Sequence, residues 1–277
     1  MMSREMKGFS LVIALMSLAL GCVSQDHNGS RGAAGGEVGF VQGDRLESIA
    51  AGVTFHERVI DSSVSGKQFL LMETEVTQRL YQAVMGENPS YFNGVREGLE
   101  QDYYYGFDLQ RPVEWVSWED GVRFANALST AMGLRPAYDG DDNNALLIEG
   151  ANGFRYPLEA EWVRAARCGE YHHKYAGSDN LDDVAWWDGN SSVQTHPVGL
   201  KQANACGLKD MTGNVWEWAA DDYWNPGQHS PGADDRPQLG GGWRSSPDRC
   251  SVLISRTNEY PDTSSIHVGL RLLRPLD

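Results

Sequence analysis

The pattern of apolar and polar residues predicts one strand and three helices in the first 170 residues. Residues 65–77 are rich in β-branched and apolar side chains with partial alternation, which is typical of a strand. Thr77 then serves as the N-cap of a short helix that Gly86 ends, before an Asn-Pro turn at 88–89. The apolar face of this helix consists of Leu80, Ala83 and Val84.

A second and a third helix carry clear end signals. Ser117 and Asp120 form a capping box, and Gly133 closes the second helix. Its apolar stripe is Val122, Ala125, Leu128 and Met132. The third helix is predicted over residues 158–167, with acidic residues near its first turn and arginines near its last. Its inward side chains are Trp162, Ala165 and Ala166.

Beyond Gly169 no long helical period remains, and short aromatic or β-branched runs alternate with Gly, Asn, Asp and Pro. Strands are predicted over residues 214–219, 241–245, 250–256 and 267–273. The predicted fold class is therefore α+β with much irregular structure. The chain shows no internal repeat, and no boundary divides residues 44–277, which we predict to form one domain.

Composition supports a single globular core and excludes one class of partner. The 277 residues include 23 Lys and Arg against 38 Asp and Glu, a net charge of −15, whereas nucleic-acid binding requires a basic face. Hydrophobic residues make up 41% of the chain. Thirty-one Gly with nine Trp and eleven Tyr argue against a helix bundle.

The amino terminus predicts export and lipid attachment. Arg4 and Lys7 precede an apolar run from Phe9 to Leu20, as in a signal peptide, here residues 1–21; the alternative is a buried core helix. Residues 18–22 resemble a bacterial lipobox, which predicts lipidation of Cys22 and a bacterial envelope location, periplasmic or on the cell surface. Residues 22–43 are rich in Gly, Ser, Asn and Asp and predict a flexible tether.

The remaining cysteines allow at most one internal disulfide. Cys168, Cys206 and Cys250 are odd in number, so one thiol is left over. Cys168 and Cys206 are the predicted pair because Cys250 lies in a motif of its own. No zinc-type spacing of Cys and His occurs.

Six ordered motifs carry a family resemblance over residues 52–275. They are Glu73-Thr74-Glu75-Val76-Thr77, Arg111-Pro112-Val113 with Val116-Ser117-Trp118, residues 155–162 (RYPLEAEW), residues 213–218 (GNVWEW), residues 240–244 (GGGWR) and Gly269-Leu270-Arg271. The series resembles the formylglycine-generating enzyme (sulfatase-modifying factor) family. This resemblance implies a C-type-lectin-like fold with a twisted antiparallel sheet, and structural calcium.

The family's calcium ligands fall on oxygen-bearing positions of this chain. They would be the side chains of Asp210 and Glu217 with the carbonyls of Gly213 and Val215, a donor set that suits calcium. The alternative is solvated acids on a turn. Residues 139–144 begin like an EF-hand loop but lack the required Gly and final Glu, so we interpret them as an acidic hairpin tip.

One departure from the family bears on catalysis. Enzymes of this family hold copper(I) between two cysteine thiolates, and the alignment places these positions on Ser245 and Cys250. A hydroxyl is a hard ligand that cannot replace a thiolate for copper(I), so copper-dependent oxidation is not expected. Cys250 is either a thiol activated by Arg244 and Arg249 or, as we prefer, a buried structural cysteine.

Two function hypotheses follow. The first is a lipid-anchored binding or assembly module of the envelope, without copper-dependent cysteine oxidation, whose partner is an envelope protein, peptide or glycan. The alternative is an envelope oxidoreductase of the sulfatase-modifying or pyoverdine-maturation type. A His or Cys converging on Cys250 would favour the enzyme, and apolar surroundings would favour binding.

Overall fold

The structure is a computed structural model that describes residues 40–61, 67–94, 108–222, 224, 232–252 and 256–276. Its strands are β1 Arg45–Ala50, β2 Val53–Asp61, β3 Gln68–Met72, β4 Tyr138–Asp139, β5 Leu146–Leu147, β6 Trp216–Trp218, β7 Arg236–Leu239, β8 Arg256–Glu259, β9 Val268–Gly269 and β10 Leu273–Pro275. Its helices are α1 Gln78–Met85, α2 Trp118–Ala131, α3 Glu159–Arg167 and α4 Leu181–Val184, with a 3₁₀ turn at Pro247–Cys250.

Two four-stranded sheets organise the domain. The first sheet has the order β1-β2-β3-β10 and is antiparallel throughout. Its strand β10, from the end of the described chain, therefore pairs with β3, from the first third of the chain. The second has the order β8-β7-β6-β9, in which β6 and β9 run parallel and the other pairs antiparallel. The α+β class with irregular connections is confirmed.

The three longer helices confirm their predicted end signals, but the predicted apolar face of α1 is wrong at Ala83, which is exposed, while Tyr81 is buried. The Thr77 hydroxyl accepts the Leu80 N–H at the start of α1, and Ser117 and Asp120 form the predicted capping box of α2. Tyr81 of α1 stacks on Phe124 of α2 at 5.0 Å within the main core. The acidic hairpin tip is also confirmed, because β4 and β5 pair on either side of it.

All five predicted strands are wrong in part or whole, and the strand predicted over 214–219 is reduced to the three residues of β6. Residues 241–245 form a turn, because Gly240 and Gly241 have φ of 91° and 77°. A Cβ at Gly241 would lie 2.6 Å from the Arg249 carbonyl oxygen, which is too close for any residue other than glycine. The chain therefore turns tightly at these two glycines, directly after the end of β7. The strand predicted over 250–256 starts late, as β8 at Arg256, while residues 253–255 lie outside the described ranges.

The strand predicted over 267–273 is broken into β9 and β10. Between them, the Arg271 side chain is fully buried and donates to the Met72 and Glu73 carbonyls at 3.0 and 2.9 Å. The β1–β2 hairpin has no counterpart in the sequence prediction, and residues 65–77 yield only the shorter β3.

Across the described ranges, no helix has the length and apolar character needed to cross a bilayer. The predicted signal peptide, Cys22 and most of the tether lie outside the described residues.

Candidate functional site

A polar cavity of about 350 Å³ opens beside the glycine turn. The second sheet, the turn and the loop before β9 build its walls. The polar side chains that line it are Gln238, Arg244, Ser245, Arg249, Thr257, Asn258, Glu259, Thr263, Ser265 and His267. Trp216 and Val268 are the apolar side chains among its lining residues.

Ser245 lies in the wall of this cavity, held by the glycine turn. Its hydroxyl accepts the Gly242 N–H at 2.9 Å, and its own N–H donates to the Gly242 carbonyl at 2.8 Å. The side chain is almost fully buried. Ser245 therefore stabilises the turn and offers the cavity a neutral hydroxyl.

Cys250 does not line the cavity. The thiol is buried at the end of the 3₁₀ turn, in an apolar cluster with Tyr175, Leu181, Val184 and Ala185. Burial raises the pKa of this thiol to about 12, despite the neighbouring arginines in the sequence. Cys250 is therefore protonated at neutral pH. Its apolar surroundings match those of a buried structural cysteine and not those of an activated thiol.

The predicted calcium ligands lie in the core, and none of them lines the cavity. Asp210 is buried, one of its carboxylate oxygens accepts the Gly199 N–H, and the other has no hydrogen-bond partner among the described residues. Asp210, Gly213 and Asn214 all have positive φ, which folds the backbone tightly here.

Glu217, the fourth predicted ligand, already accepts hydrogen bonds from other side chains of the protein. Its carboxylate oxygens accept hydrogen bonds from the Arg271 guanidinium at 2.8–3.0 Å and from the Trp162 indole N–H at 2.6 Å. Arg271 joins this carboxylate to the end of β3 through its two carbonyl bonds. Glu217 of β6 thus links the second sheet to α3 through Trp162, and to the first sheet through Arg271.

Comparison with known proteins decides the family. The profile of the sulfatase-modifying factor enzyme 1-like domain matches residues 34–276. The chain belongs to this family. Chaperone protein LppX of Paenibacillus barcinonensis is 36% identical over 220 residues, which cover 67% of this chain and 73% of that protein. The solved structure of Treponema denticola variable protein 1 is similar with a TM-score of 0.71 and 31% identity, covering 84% of this chain and 99% of that one.

Formylglycine-generating enzymes are more distant relatives. The enzyme of Streptomyces coelicolor is 30% identical over 192 residues, 60% of this chain. The match spans about half of that enzyme's length, 53%. That the present chain has the same activity as this enzyme is therefore only a hypothesis.

The copper site that this enzyme family implies does not fit the residues present. One position is a hydroxyl, and the other is a protonated thiol in an apolar cluster. Cys168 and Cys206, the predicted pair, are joined by a disulfide. Within the described ranges no three His, Cys, Asp or Glu side chains are grouped to hold a metal ion.

Calcium binding by Asp210, Gly213, Val215 and Glu217 stays a prediction, which the buried negative charge supports. Glu75, Asp210 and Glu217 are buried together around one guanidinium, that of Arg271, so their ionised forms leave an excess of negative charge. Burial raises the pKa of Asp210 to about 6 and that of Glu75 well above its ordinary value. A calcium ion bound by Asp210, Gly213, Val215 and Glu217 would offset this charge, with Glu217 sharing its oxygens with Arg271.

Sequence reasoning missed one feature near the cavity. Trp115 has a φ of 63° and a side chain that is 44% exposed, stacked on the exposed ring of Tyr91. Trp115 falls between the two halves of one motif of the family series, 111–113 and 116–118, and lies on no periodic segment, so no sequence signal marks it.

Proposed function

We propose that this chain is an exported, lipid-anchored binding or assembly module that has lost copper-dependent cysteine oxidation. The Ser245–Cys250 pair carries the proposal. The family's cuprous site uses two cysteine thiolates, whereas these positions supply one hydroxyl and one buried thiol whose pKa is raised to about 12.

The surroundings of the pair support binding over oxidation. Cys250 packs among apolar side chains, and the other cysteines of the described region form a disulfide. A polar cavity still opens beside Ser245, so the cleft retains room for a ligand. The name of the relative LppX, a chaperone protein, agrees with a role in holding or assembling another molecule.

Lipid anchoring through Cys22 belongs to the same proposal, together with a periplasmic or surface location. The domain's first strand starts at Arg45, after the predicted tether. In bacterial cells, the wild type is expected in the membrane fraction and Cys22→Ser in the soluble fraction. Equal membrane retention of both proteins would contradict the anchor.

Copper binding and oxygen consumption test the loss of oxidation. Purified protein is loaded with copper(I), dialysed against a competing chelator, and assayed with a cysteine-containing peptide. We expect less than about 0.1 copper per chain and no peptide-dependent oxygen uptake. Stoichiometric copper, or oxygen uptake that Cys250→Ser abolishes, would refute the proposal in favour of the oxidoreductase.

A further inference from the structure

We propose that the polar cavity beside the glycine turn binds a small organic acid, whose carboxylate accepts hydrogen bonds from Trp216, Arg244 and Ser245. This ligand class rests on the proposed binding role. Its support is a set of polar side chains in the cavity wall that have no hydrogen-bond partner among the described residues.

The indole N–H of Trp216 is a buried donor without an acceptor. Trp216 is only 7% exposed and lines the cavity, and its indole makes no hydrogen bond with the described part of the chain. Four other indoles are also buried, and each donates to a carbonyl or carboxylate oxygen at 2.6–3.1 Å; they belong to Trp118, Trp162, Trp218 and Trp243. A buried donor that lacks an acceptor costs free energy. The Trp216 N–H therefore points to an acceptor that enters the cavity from solvent.

Two further side chains add donors to the same cavity. The Ser245 oxygen already accepts the Gly242 N–H, so its own O–H proton remains to donate, and it has no acceptor within the described ranges. Arg244 is exposed, lines the cavity, and forms no ion pair or hydrogen bond with the described residues. Burial and then the Arg244 guanidinium lower the pKa of His267, another lining residue, so the positive charge of Arg244 acts on the cavity.

A carboxylate satisfies this donor set. An indole N–H and a guanidinium can only donate, and an ionised carboxylate can only accept, with about four lone-pair sites on its two oxygens. A guanidinium binds a carboxylate through two parallel hydrogen bonds. Glu259 is the one acidic residue among the described residues that line the cavity, and its charge disfavours a doubly charged anion. A monocarboxylate therefore fits the cavity better than sulfate or phosphate.

The rest of the cavity suits a short polar molecule. Gln238 is only 5% exposed, and its amide has no hydrogen-bond partner among the described residues. The side chains of Thr257, Asn258 and Thr263 share both properties of Gln238, a place in the lining and no described partner. Amides and hydroxyls donate and accept, which suits hydroxyl or amide groups of the ligand. A volume of about 350 Å³ is near the lower limit of small-molecule sites, so the ligand is a small acid and not a polymer.

NMR of the nine indole N–H groups of the purified protein at pH 7 tests the proposal. The probes are lactate, succinamate and N-acetylglycinate, and each is compared with its neutral amide, with inorganic sulfate and phosphate as competing anions. The Trp216 signal is the one that Trp216→Phe removes. At least one carboxylate should move this signal with a Kd below about 10 mM, and should bind at least about fivefold more tightly than its amide.

Arg244→Gln tests the charge. It should weaken carboxylate binding about tenfold and leave the binding of the neutral amide unchanged, because only the charged hydrogen bonds are lost. The matched control Arg79→Gln removes an exposed charge on α1 and should have no effect.

Gln238→Met separates binding from structure. Met has a similar length, and the Gln238 amide has no described partner to lose, so the carboxylate should bind at least about threefold more weakly while the melting temperature does not fall. The control Gln78→Met should behave in the opposite way. The Gln78 amide is fully buried and donates to the Phe92 and Pro112 carbonyls at 3.3 Å, so its loss should lower the melting temperature and leave binding unchanged.

Four results would overturn the proposal: no carboxylate moves the Trp216 signal below about 10 mM, acid and amide bind equally, sulfate or phosphate binds more tightly than every carboxylate, or Gln238→Met binds as the wild type does. None of these measurements involves copper or oxygen, so the ligand class and the loss of oxidation fail separately.

Discussion

Glu114→Gln is expected to stabilise the protein strongly at pH 8 and only slightly at pH 5. The Glu114 side chain is fully buried, and burial raises the pKa of its carboxyl from 4.5 to about 7. The Phe92 and Tyr91 N–H groups and Arg111 act in the opposite direction but do not offset the loss of hydration.

The sign follows from proton linkage. Between pH 4.5 and 7 the folded chain holds a proton on Glu114 that the unfolded chain has released, so stability falls as the pH rises through this interval. At roughly 1.4 kcal/mol per pH unit, the ionised carboxylate costs about 3 kcal/mol at pH 8 and less than about 1 kcal/mol at pH 5. Gln is neutral at both pH values and removes this cost.

Urea denaturation followed by tryptophan fluorescence measures the effect. The difference in stability between variant and wild type should be larger at pH 8 than at pH 5 by about 2 kcal/mol, a relative midpoint shift of roughly 1 M urea. Glu87→Gln, at an exposed carboxylate in the preceding turn, is the matched control. An equal effect of Glu114→Gln at both pH values, or a lower midpoint at pH 8, would refute the reasoning.

Three further predictions concern the core. Removing calcium with a chelator should lower the melting temperature of the wild type, because the ion binds the native state, and should affect Asp210→Asn less; an unchanged wild-type melt would exclude the site. Cys250→Ser should fold and keep its cellular role while losing about 1–2 kcal/mol of stability, measured in urea, because a hydroxyl enters an apolar cluster; a loss of the cellular role in folded protein would contradict this. Arg271→Met should cost about 3–5 kcal/mol, since Glu217 is left buried without its cation, and a loss below about 1 kcal/mol would show that the ion pair is not needed.

Local signals explain which elements the sequence predicted. A cap and the face it begins lie within a few residues of each other, as in the box of Ser117 and Asp120, so α1, α2 and α3 could be located without knowledge of the fold. The ordered motifs likewise identified the family, and the identity of Ser245 alone determined that one soft ligand is missing.

The errors arose where distant contacts override local pattern. The run of apolar residues around Arg271 looks like one strand, but the Arg271 guanidinium donates to Glu217 and to the carbonyls at the end of β3, and this breaks the strand in two. The glycines at 240–241 lie beside apolar residues, yet the approach of the Arg249 backbone requires a turn there.

The sequence by itself determined α1, α2 and α3, the family and the ligand chemistry available at Ser245, but not the short helix α4. The tertiary structure alone decided that Cys250 is buried among apolar side chains and that the rings of Tyr91 and Trp115 stack on each other. Exposure and the pKa of a thiol depend on side chains that come together only when the two sheets pack, and spacing along the chain does not encode them.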